Sequence, residues 1–131
     1  MKYQQRDFTP VLLEKIKNTE VILKEYIEGL MRENKSIFAH KKLVFDAMFN
    51  NEGNDPFLPG YSSSVSIGIA QENEELLDLH IIKIWECDRY FLGMPISKKI
   101  PGCKIIGELL DETFEEVKEE LKQYIDGFLE E

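Results

Sequence analysis

Apolar residues recur every three or four positions after Thr9, which is the spacing of one face of an α-helix. Thr9 is suited to cap the free backbone N–H groups of such a helix, and Pro10 is suited to its first position. Asn34 is a typical stop signal. The pattern therefore predicts an amphipathic helix from Pro10 to about Asn34. Its apolar stripe comprises Leu12, Ile16, Leu23, Tyr26 and Leu30, with Thr19 as a polar interruption and Ile27 and Met31 widening it.

The next stretch, residues 36–50, fits two kinds of element. A short helix accommodates the apolar set Ile37, Phe38, Val44, Phe45, Met48 and Phe49, whereas the segment KKLVFDAMF fits a strand equally well. Both interpretations stay open. The segment NNEGNDPFLPG that follows is predicted to be a loop, because Asn, Gly, Asp and Pro all favour turns.

Strict alternation between positions 62 and 70 predicts a β-strand. Val65, Ile67 and Ile69 fall on one face, and the other face holds Ser64, Ser66, Gly68 and Ala70. The turn QENEE joins this strand to a second one, LLDLHIIKIWEC, so the two are expected to form a hairpin. The segment RYFLGMPIS predicts a third strand that ends near Pro95, and CKIIG predicts a short fourth strand.

A second amphipathic helix is predicted at the end of the sequence. Thr113 and Glu116 form a capping-box pattern, in which hydroxyl and carboxylate each satisfy a free backbone N–H. The apolar arc holds Leu110, Phe114, Val117, Leu121, Tyr124, Ile125 and Phe128, and the acidic arc holds Glu112, Glu115, Glu116, Glu119, Glu120 and Asp126. Together these elements predict a single α+β domain over residues 1–131. We expect an antiparallel sheet of about four strands, with the long N-terminal helix and the C-terminal helix packed on it.

Charge is concentrated in the last part of the chain. The net charge is −9, and residues 108–131 hold 2 Lys+Arg against 10 Asp+Glu, which accounts for −8 of it. An acidic chain with pI near 4.8 is a poor direct partner for nucleic acid or for an anionic membrane. No apolar run approaches the ~20 residues that span a bilayer, and the first residues lack a signal-peptide pattern. We therefore expect a cytoplasmic protein in which Cys87 and Cys103 are free thiols.

Residues with catalytic or metal-binding chemistry do not form a known motif. The segment GYSSSVSIG lacks the second glycine of a nucleophile elbow, so Ser62–Ser64 are interpreted as the start of a strand. His40, His80, Cys87 and Cys103 form no closely spaced pair of the kind that structural zinc sites use. Carboxylates in the exposed turn at 72–75 are expected to be hydrated rather than catalytic. The sequence predicts no cofactor, no metal and no enzymatic activity.

Two families resemble the tail IPGCKIIGELLDETFEEVKEELKQYI. The positions Pro101-Gly102-Cys103, Gly107, Thr113 and Glu115-Glu116 resemble the PGC…G…T-x-E-E segment of HicB-type antitoxins. The segment order, size and acidity of the whole chain resemble immunity proteins of contact-dependent growth inhibition and related polymorphic toxin systems. This second resemblance assigns a role to no individual residue.

The resemblance implies an immunity protein, or antitoxin, that binds a cognate protein toxin and blocks its active site. Such a toxin is often a basic nuclease, and an acidic surface complements it. The residues predicted to bind the toxin are the acids of the hairpin turn and of the final helix, namely Glu72, Glu74, Glu75, Asp78, Glu115, Glu116, Glu119 and Glu120. Two alternatives stay open: a HicB-like antitoxin, and a small ligand-binding or enzymatic α+β domain with a pocket near Ser62–Ser64 and His80.

Overall fold

The computed structural model of the chain describes residues 1–130, which form an α+β fold with an antiparallel sheet. Within these residues there are six strands and two α-helices. In chain order they are β1 (Lys2–Gln4), α1 (Pro10–His40), β2 (Leu43–Glu52), β3 (Tyr61–Gln71), β4 (Leu76–Phe91), β5 (Met94–Ile96), β6 (Lys104–Leu109) and α2 (Phe114–Leu129). A short 3₁₀ turn at Gln5–Asp7 connects β1 to α1.

Helix α1 begins where the sequence predicts and continues beyond the predicted end. The Thr9 hydroxyl accepts a hydrogen bond from the Leu12 N–H at 3.2 Å, which caps the first turn. Asn34 does not stop the helix, because its side-chain amide donates to the Leu30 carbonyl at 3.0 Å inside the helix. One turn later, the fully buried Phe38 ring packs on the Phe45 ring, so the final turn of α1 is held by the core.

Residues 36–50 contain both of the elements that the sequence left open. The helix runs to His40, Lys42 adopts a left-handed φ of 61°, and β2 begins at Leu43. The predicted hairpin is confirmed, since β3 pairs antiparallel with β4 through the turn at 72–75. The strand order is β1-β6-β4-β3-β2, and β5 pairs with the end of β4.

The predicted count of about four strands is too low, and one predicted boundary is wrong. The segment RYFLGMPIS is not a separate strand, because β4 continues through Phe91 and the chain then turns back at Leu92 and Gly93 to form β5. Leu92 and Gly93 have φ of 52° and 80°, which is the backbone of a tight hairpin turn. The short strands β1 and β5 carry no periodic signal of their own, because each has only three residues.

Both helices pack on the same face of the sheet. The core joins Leu23 and Ile27 of α1 and Val117 and Leu121 of α2 to the buried face of β3, with Ile67 fully buried among them. The opposite face carries the alternate positions of β2, β3 and β4, and no helix from residues 1–130 covers it. The fold is therefore a two-layer α+β arrangement with one open sheet face.

The single tryptophan fixes the loop before β3 to the core. Trp85 is fully buried, and its indole N–H donates to the Pro56 carbonyl at 2.6 Å. Phe8 and Phe57 stack with ring centroids 4.6 Å apart and meet the indole edge-on. Because this cluster joins three distant segments, it orders residues that lack secondary structure of their own.

Candidate functional site

The acids predicted in the hairpin turn lie fully at the surface. Glu72, Glu74 and Glu75 are exposed, and Glu74 has the left-handed φ of 69° that the turn requires. Asp78 lies at the start of β4, where its carboxylate accepts a hydrogen bond from the Tyr124 hydroxyl of α2 at 2.9 Å. Within residues 1–130, Asp78 is thus the member of this predicted group that contacts α2.

The four predicted acids of α2 have different local roles. Glu116 completes the capping box by accepting from the Thr113 N–H at 3.1 Å, and the Thr113 hydroxyl accepts from the Glu116 N–H. Glu120 lies 2.7 Å from Nε2 of His80, across the contact between α2 and β4. Glu115 and Glu119 are exposed. Glu115 makes a 3.6 Å ion pair with Lys118, and Glu119 accepts from the Gln123 amide at 3.1 Å.

Two aromatic contacts connect the predicted turn and helix residues. The His80 and Tyr124 rings stack with centroids 4.8 Å apart. Each ring also bonds an acid, His80 to Glu120 of the helix and Tyr124 to Asp78 of the strand. The structure therefore brings Asp78 and Glu120 into one cluster, whereas Glu115 and Glu119 lie on the solvent side of α2.

Beside this cluster is an acidic cavity that the sequence does not reveal, which we call the acidic notch. It measures about 380 Å³ and lies where β6 ends while β4 continues. It is lined by Met1, Ile81, Ile82, Lys83, Glu86, Glu108, Leu109, Leu110, Asp111, Glu112 and Glu120. Glu86 and Glu108 face each other because they are paired in register between β4 and β6. Local sequence patterns do not predict the acidic notch, because the notch depends on the pairing of strand positions that are far apart in the sequence.

Carboxylates outnumber cations in the acidic notch. Lys83 bonds Glu86 at 3.1 Å, and this contact lowers the pKa of Glu86. The Met1 ammonium group bonds Asp111 at 2.5 Å. Burial raises the pKa of Glu112, and a hydrogen bond and like charge from Glu120 raise it further. The notch therefore holds negative charge that is only partly neutralised.

Asp88, which is close to Glu86 on β4, also has a raised pKa. Burial, followed by a hydrogen bond and like charge from Glu86, raises the pKa of Asp88. A positively charged group placed in the notch would favour the ionised form of these carboxylates. Chemically, the arrangement can bind a cationic group.

The serines and the histidine singled out by the sequence do not share a site. Ser62 and Ser64 alternate with Ser63, which is buried opposite Trp85 on the helix-covered side of the sheet. His80 is on that helix-covered side too, next to Glu120, but its register partner is Ile67, four positions along β3 from Ser63. The sheet itself thus separates Ser62 and Ser64 from His80. Among residues 1–130, no group of three or more His, Cys, Asp or Glu is placed to hold a metal ion.

The structure places both cysteines as free thiols. Cys87 is buried in the sheet and Cys103 is partly exposed before β6. Burial raises the pKa of the Cys87 thiol to about 11, which makes it a poor nucleophile.

Comparison with known proteins leaves the family of this chain open. No protein-family model, no curated protein and no solved structure matches it. Neither helix of residues 1–130 combines the length and the apolar character that crossing a membrane requires.

Proposed function

We propose that this protein is an immunity protein that binds a cognate toxin domain, a basic nuclease, and neutralises it by covering its active site. The observation that carries the proposal is the distribution of acids around α2. The exposed acids Glu115 and Glu119 project from the helix, and the partly neutralised carboxylates of the acidic notch lie beside its first turn. The predicted toxin-binding acids of the hairpin turn, Glu72, Glu74 and Glu75, add further negative charge to the surface.

The proposed inhibitor recognises its toxin through the positively charged surface with which a nuclease binds phosphate. A nuclease presents Lys and Arg to the nucleic-acid backbone, so a negative surface is complementary to its substrate cleft. Charge complementarity of this kind can raise association rates by about 10–10³-fold, and the gain falls as salt rises. Fast capture is useful when an inhibitor must bind its toxin before the toxin acts.

The first experiment identifies the partner. Tagged protein is used to capture proteins from a lysate of the source strain at low and at high salt, and the captured proteins are identified by mass spectrometry. A basic C-terminal fragment of a large secreted protein, bound more weakly at high salt, is the expected result. A small RNA-binding toxin would instead indicate the HicB-like antitoxin, and a bound metabolite would indicate the ligand-binding alternative.

The second experiment measures the charge effect on the purified pair. The variant leaves Glu116 and Glu120 unchanged, because Glu116 caps α2 and Glu120 bonds His80, so replacing either would disturb the fold. The test variant is Glu108→Gln, Glu115→Gln and Glu119→Gln, and the matched control removes three exposed acids of α1, Glu14→Gln, Glu25→Gln and Glu28→Gln. We expect the test variant to associate about tenfold more slowly at low salt and to show a weaker salt dependence.

Neutralisation is tested separately, by co-expressing the toxin domain with the wild-type chain and measuring cell growth. Growth rescue together with equal association rates for the test and control variants would exclude Glu108, Glu115 and Glu119 from the steering surface. Absence of any rescue by the wild-type chain would refute the immunity function itself.

A further inference from the structure

The open face of the sheet carries a trough that runs along β3. Its floor consists of the small residues Ser66, Gly68 and Ala70, which occupy alternate positions of the central strand. Its walls come from the two neighbouring strands in register with the floor, Val44, Asp46 and Met48 from β2 and Leu76, Leu79 and Ile81 from β4. Larger side chains on β2 and β4, which flank β3 on either side, and small ones on β3 between them create a groove with a flat base.

The walls of the trough are apolar and exposed. Leu76, Leu79 and Ile81 retain 59%, 49% and 54% of their accessible surface, and Val44 and Met48 retain 46% and 44%. Val44, Met48, Leu76 and Leu79 line a cavity of about 280 Å³ on this face, and Ile81 extends the wall of β4 beyond it. Since adjacent strands lie about 4.8 Å apart, the two walls stand roughly 10 Å from each other, which admits a row of side chains from a partner. A contiguous exposed apolar surface of this kind marks an interaction site.

The charges on the trough decide which partner fits it. Asp46 stands within one wall and Glu74 lines the mouth of the cavity. Neither carboxylate makes an ion pair with any of residues 1–130, so both are available to an incoming cation. Lys83, the basic residue next to Ile81, is already bonded to Glu86. A second copy of this chain would bring acids against acids, and an anionic membrane would be repelled.

We propose that the trough is a docking site for a segment of a partner protein that combines a large aliphatic or aromatic side chain with flanking Lys or Arg. The apolar side chain lies on the floor formed by Gly68 and its neighbours, and the basic groups pair with Asp46 and Glu74. The identification of that partner as the toxin rests on the proposed function, whereas the trough and its chemistry do not.

The test uses a defined peptide and the full-length chain. The probe is the synthetic peptide Lys-Lys-Leu-Phe-Leu-Lys-Lys, and its two comparison peptides replace the lysines by glutamate or the apolar residues by serine. Each is titrated into chain labelled with ¹³C at the methyl groups, and binding is followed by NMR. We expect saturable shifts of the methyls of Val44, Met48, Leu76, Leu79 and Ile81 with the basic apolar peptide, with a dissociation constant of about 1 mM or tighter.

Two variants test the floor and the charges separately. Gly68 has no positive φ, and a Cβ there would lie 3.8 Å from Leu76 and from Leu79, so a side chain can be added without backbone strain. Gly68→Leu is expected to weaken peptide binding about tenfold by filling the trough. Its matched control is Gly127→Leu, at an exposed position of α2 with open space around it. Thermal unfolding of both variants checks that they fold.

The charge variant keeps the proposal testable even if Gly68→Leu does not fold. Asp46→Asn with Glu74→Gln is expected to weaken binding of the basic peptide about fivefold, and to remove the preference over the glutamate peptide. Its control, Glu14→Gln with Glu25→Gln, removes the same charge from the far side of the molecule.

Three results would overturn the proposal. The first is that the basic apolar peptide produces no saturable shifts of the trough methyls. Shifts confined to residues of α2 count as this result. The second is equal binding of the basic and the glutamate peptide. The third is concentration-dependent shifts of the trough methyls without peptide, with a dimer in sedimentation, because the occupant would then be a second copy. None of these results changes the toxin-rescue assay, so failure of the trough and failure of the immunity function are distinguishable.

Discussion

The contact between Gly107 and Trp85 allows a quantitative prediction about the sheet. Gly107 lies on β6 opposite Cys87, directly against the outer end of the six-membered ring of the buried indole. A Cβ added at position 107 would lie 2.0 Å from Cη2 and 2.3 Å from Cζ2 of Trp85. Carbon atoms in contact prefer about 3.5–4.0 Å, so the indole would have to move by roughly 1.5 Å.

The surroundings of the indole leave little room for that movement. Trp85 is fully buried, contacts the rings of Tyr3, Phe8 and Phe57, and donates to the Pro56 carbonyl at 2.6 Å. Overpacking a core costs about 1–3 kcal/mol, and losing a buried hydrogen bond costs a further 1–3 kcal/mol or so. We therefore expect Gly107→Ala to lower the free energy of unfolding by about 4 kcal/mol, a large part of the roughly 5–15 kcal/mol of a typical domain.

Urea unfolding followed by fluorescence measures this effect, because Trp85 is the only tryptophan of the chain. The control is Gly127→Ala, which meets no atom within 4 Å and should stabilise α2 by up to about 1 kcal/mol through helix propensity. In a Trp85→Phe background, where the outer indole ring is absent, Gly107→Ala should cost at least about 2 kcal/mol less; unfolding there is followed by circular dichroism. A loss below about 1 kcal/mol in the wild-type background, with unchanged emission, would refute the reasoning.

Three further predictions concern titratable and polar groups. Glu112→Gln should raise the free energy of unfolding at pH 7 by about 0.3–0.5 kcal/mol, because it removes a carboxylate that burial desolvates and that Glu120 repels. Since the folded-state pKa of Glu112 is raised, the gain should vanish below its ordinary value of 4.5, as urea titrations at both pH values would show. Iodoacetamide should label Cys103 and spare Cys87 in the native protein, since with a pKa of about 11 roughly one Cys87 thiol in a thousand is ionised at pH 8; mass spectrometry reads out the labelling. Tyr61→Phe should cost about 1–2 kcal/mol in urea unfolding, because the hydroxyl of the buried Tyr61 donates a partly buried hydrogen bond to Glu20 at 2.6 Å.

Each of these has a contradicting outcome. A stability gain for Glu112→Gln that persists at pH 3 would show that repulsion between ionised carboxylates is not its origin. Equal labelling of both cysteines in the native state would show that Cys87 is accessible. An unchanged midpoint for Tyr61→Phe would show that water replaces the lost contact to Glu20.

Local signals in the sequence were sufficient for the two helix starts and for the central hairpin. The caps at Thr9 and Thr113 act within one turn of helix, and the alternation of Val65, Ile67 and Ile69 needs only one face to be buried. These effects involve neighbours in the chain, so a pattern of a few residues determines them. The α+β class and the antiparallel hairpin followed directly from them.

The end of α1 and the length of β4 depended on partners far away in sequence. Asn34 favours a helix stop by itself, but the burial of Phe38 against Phe45 extends the helix. The long strand β4 pairs with β3 along its first part and with β6 and β5 along its last, so its continuation through Phe91 is set by tertiary pairing. The contact between Gly107 and Trp85 also depends on tertiary pairing. The sequence shows a glycine at position 107, but only the folded sheet places it against the indole.

What the sequence by itself determined is the acidic character of the last 24 residues, the caps of both helices and the face that each strand can bury. Only the tertiary structure decided which of the other acids remain available, because His80 takes Glu120 and the pairing of β4 with β6 places Glu86 against Glu108. It also decided that both helices cover the same face of the sheet and leave the trough open. Charge and periodicity are local properties of a chain, whereas neutralisation and exposure depend on which distant residues become neighbours when it folds.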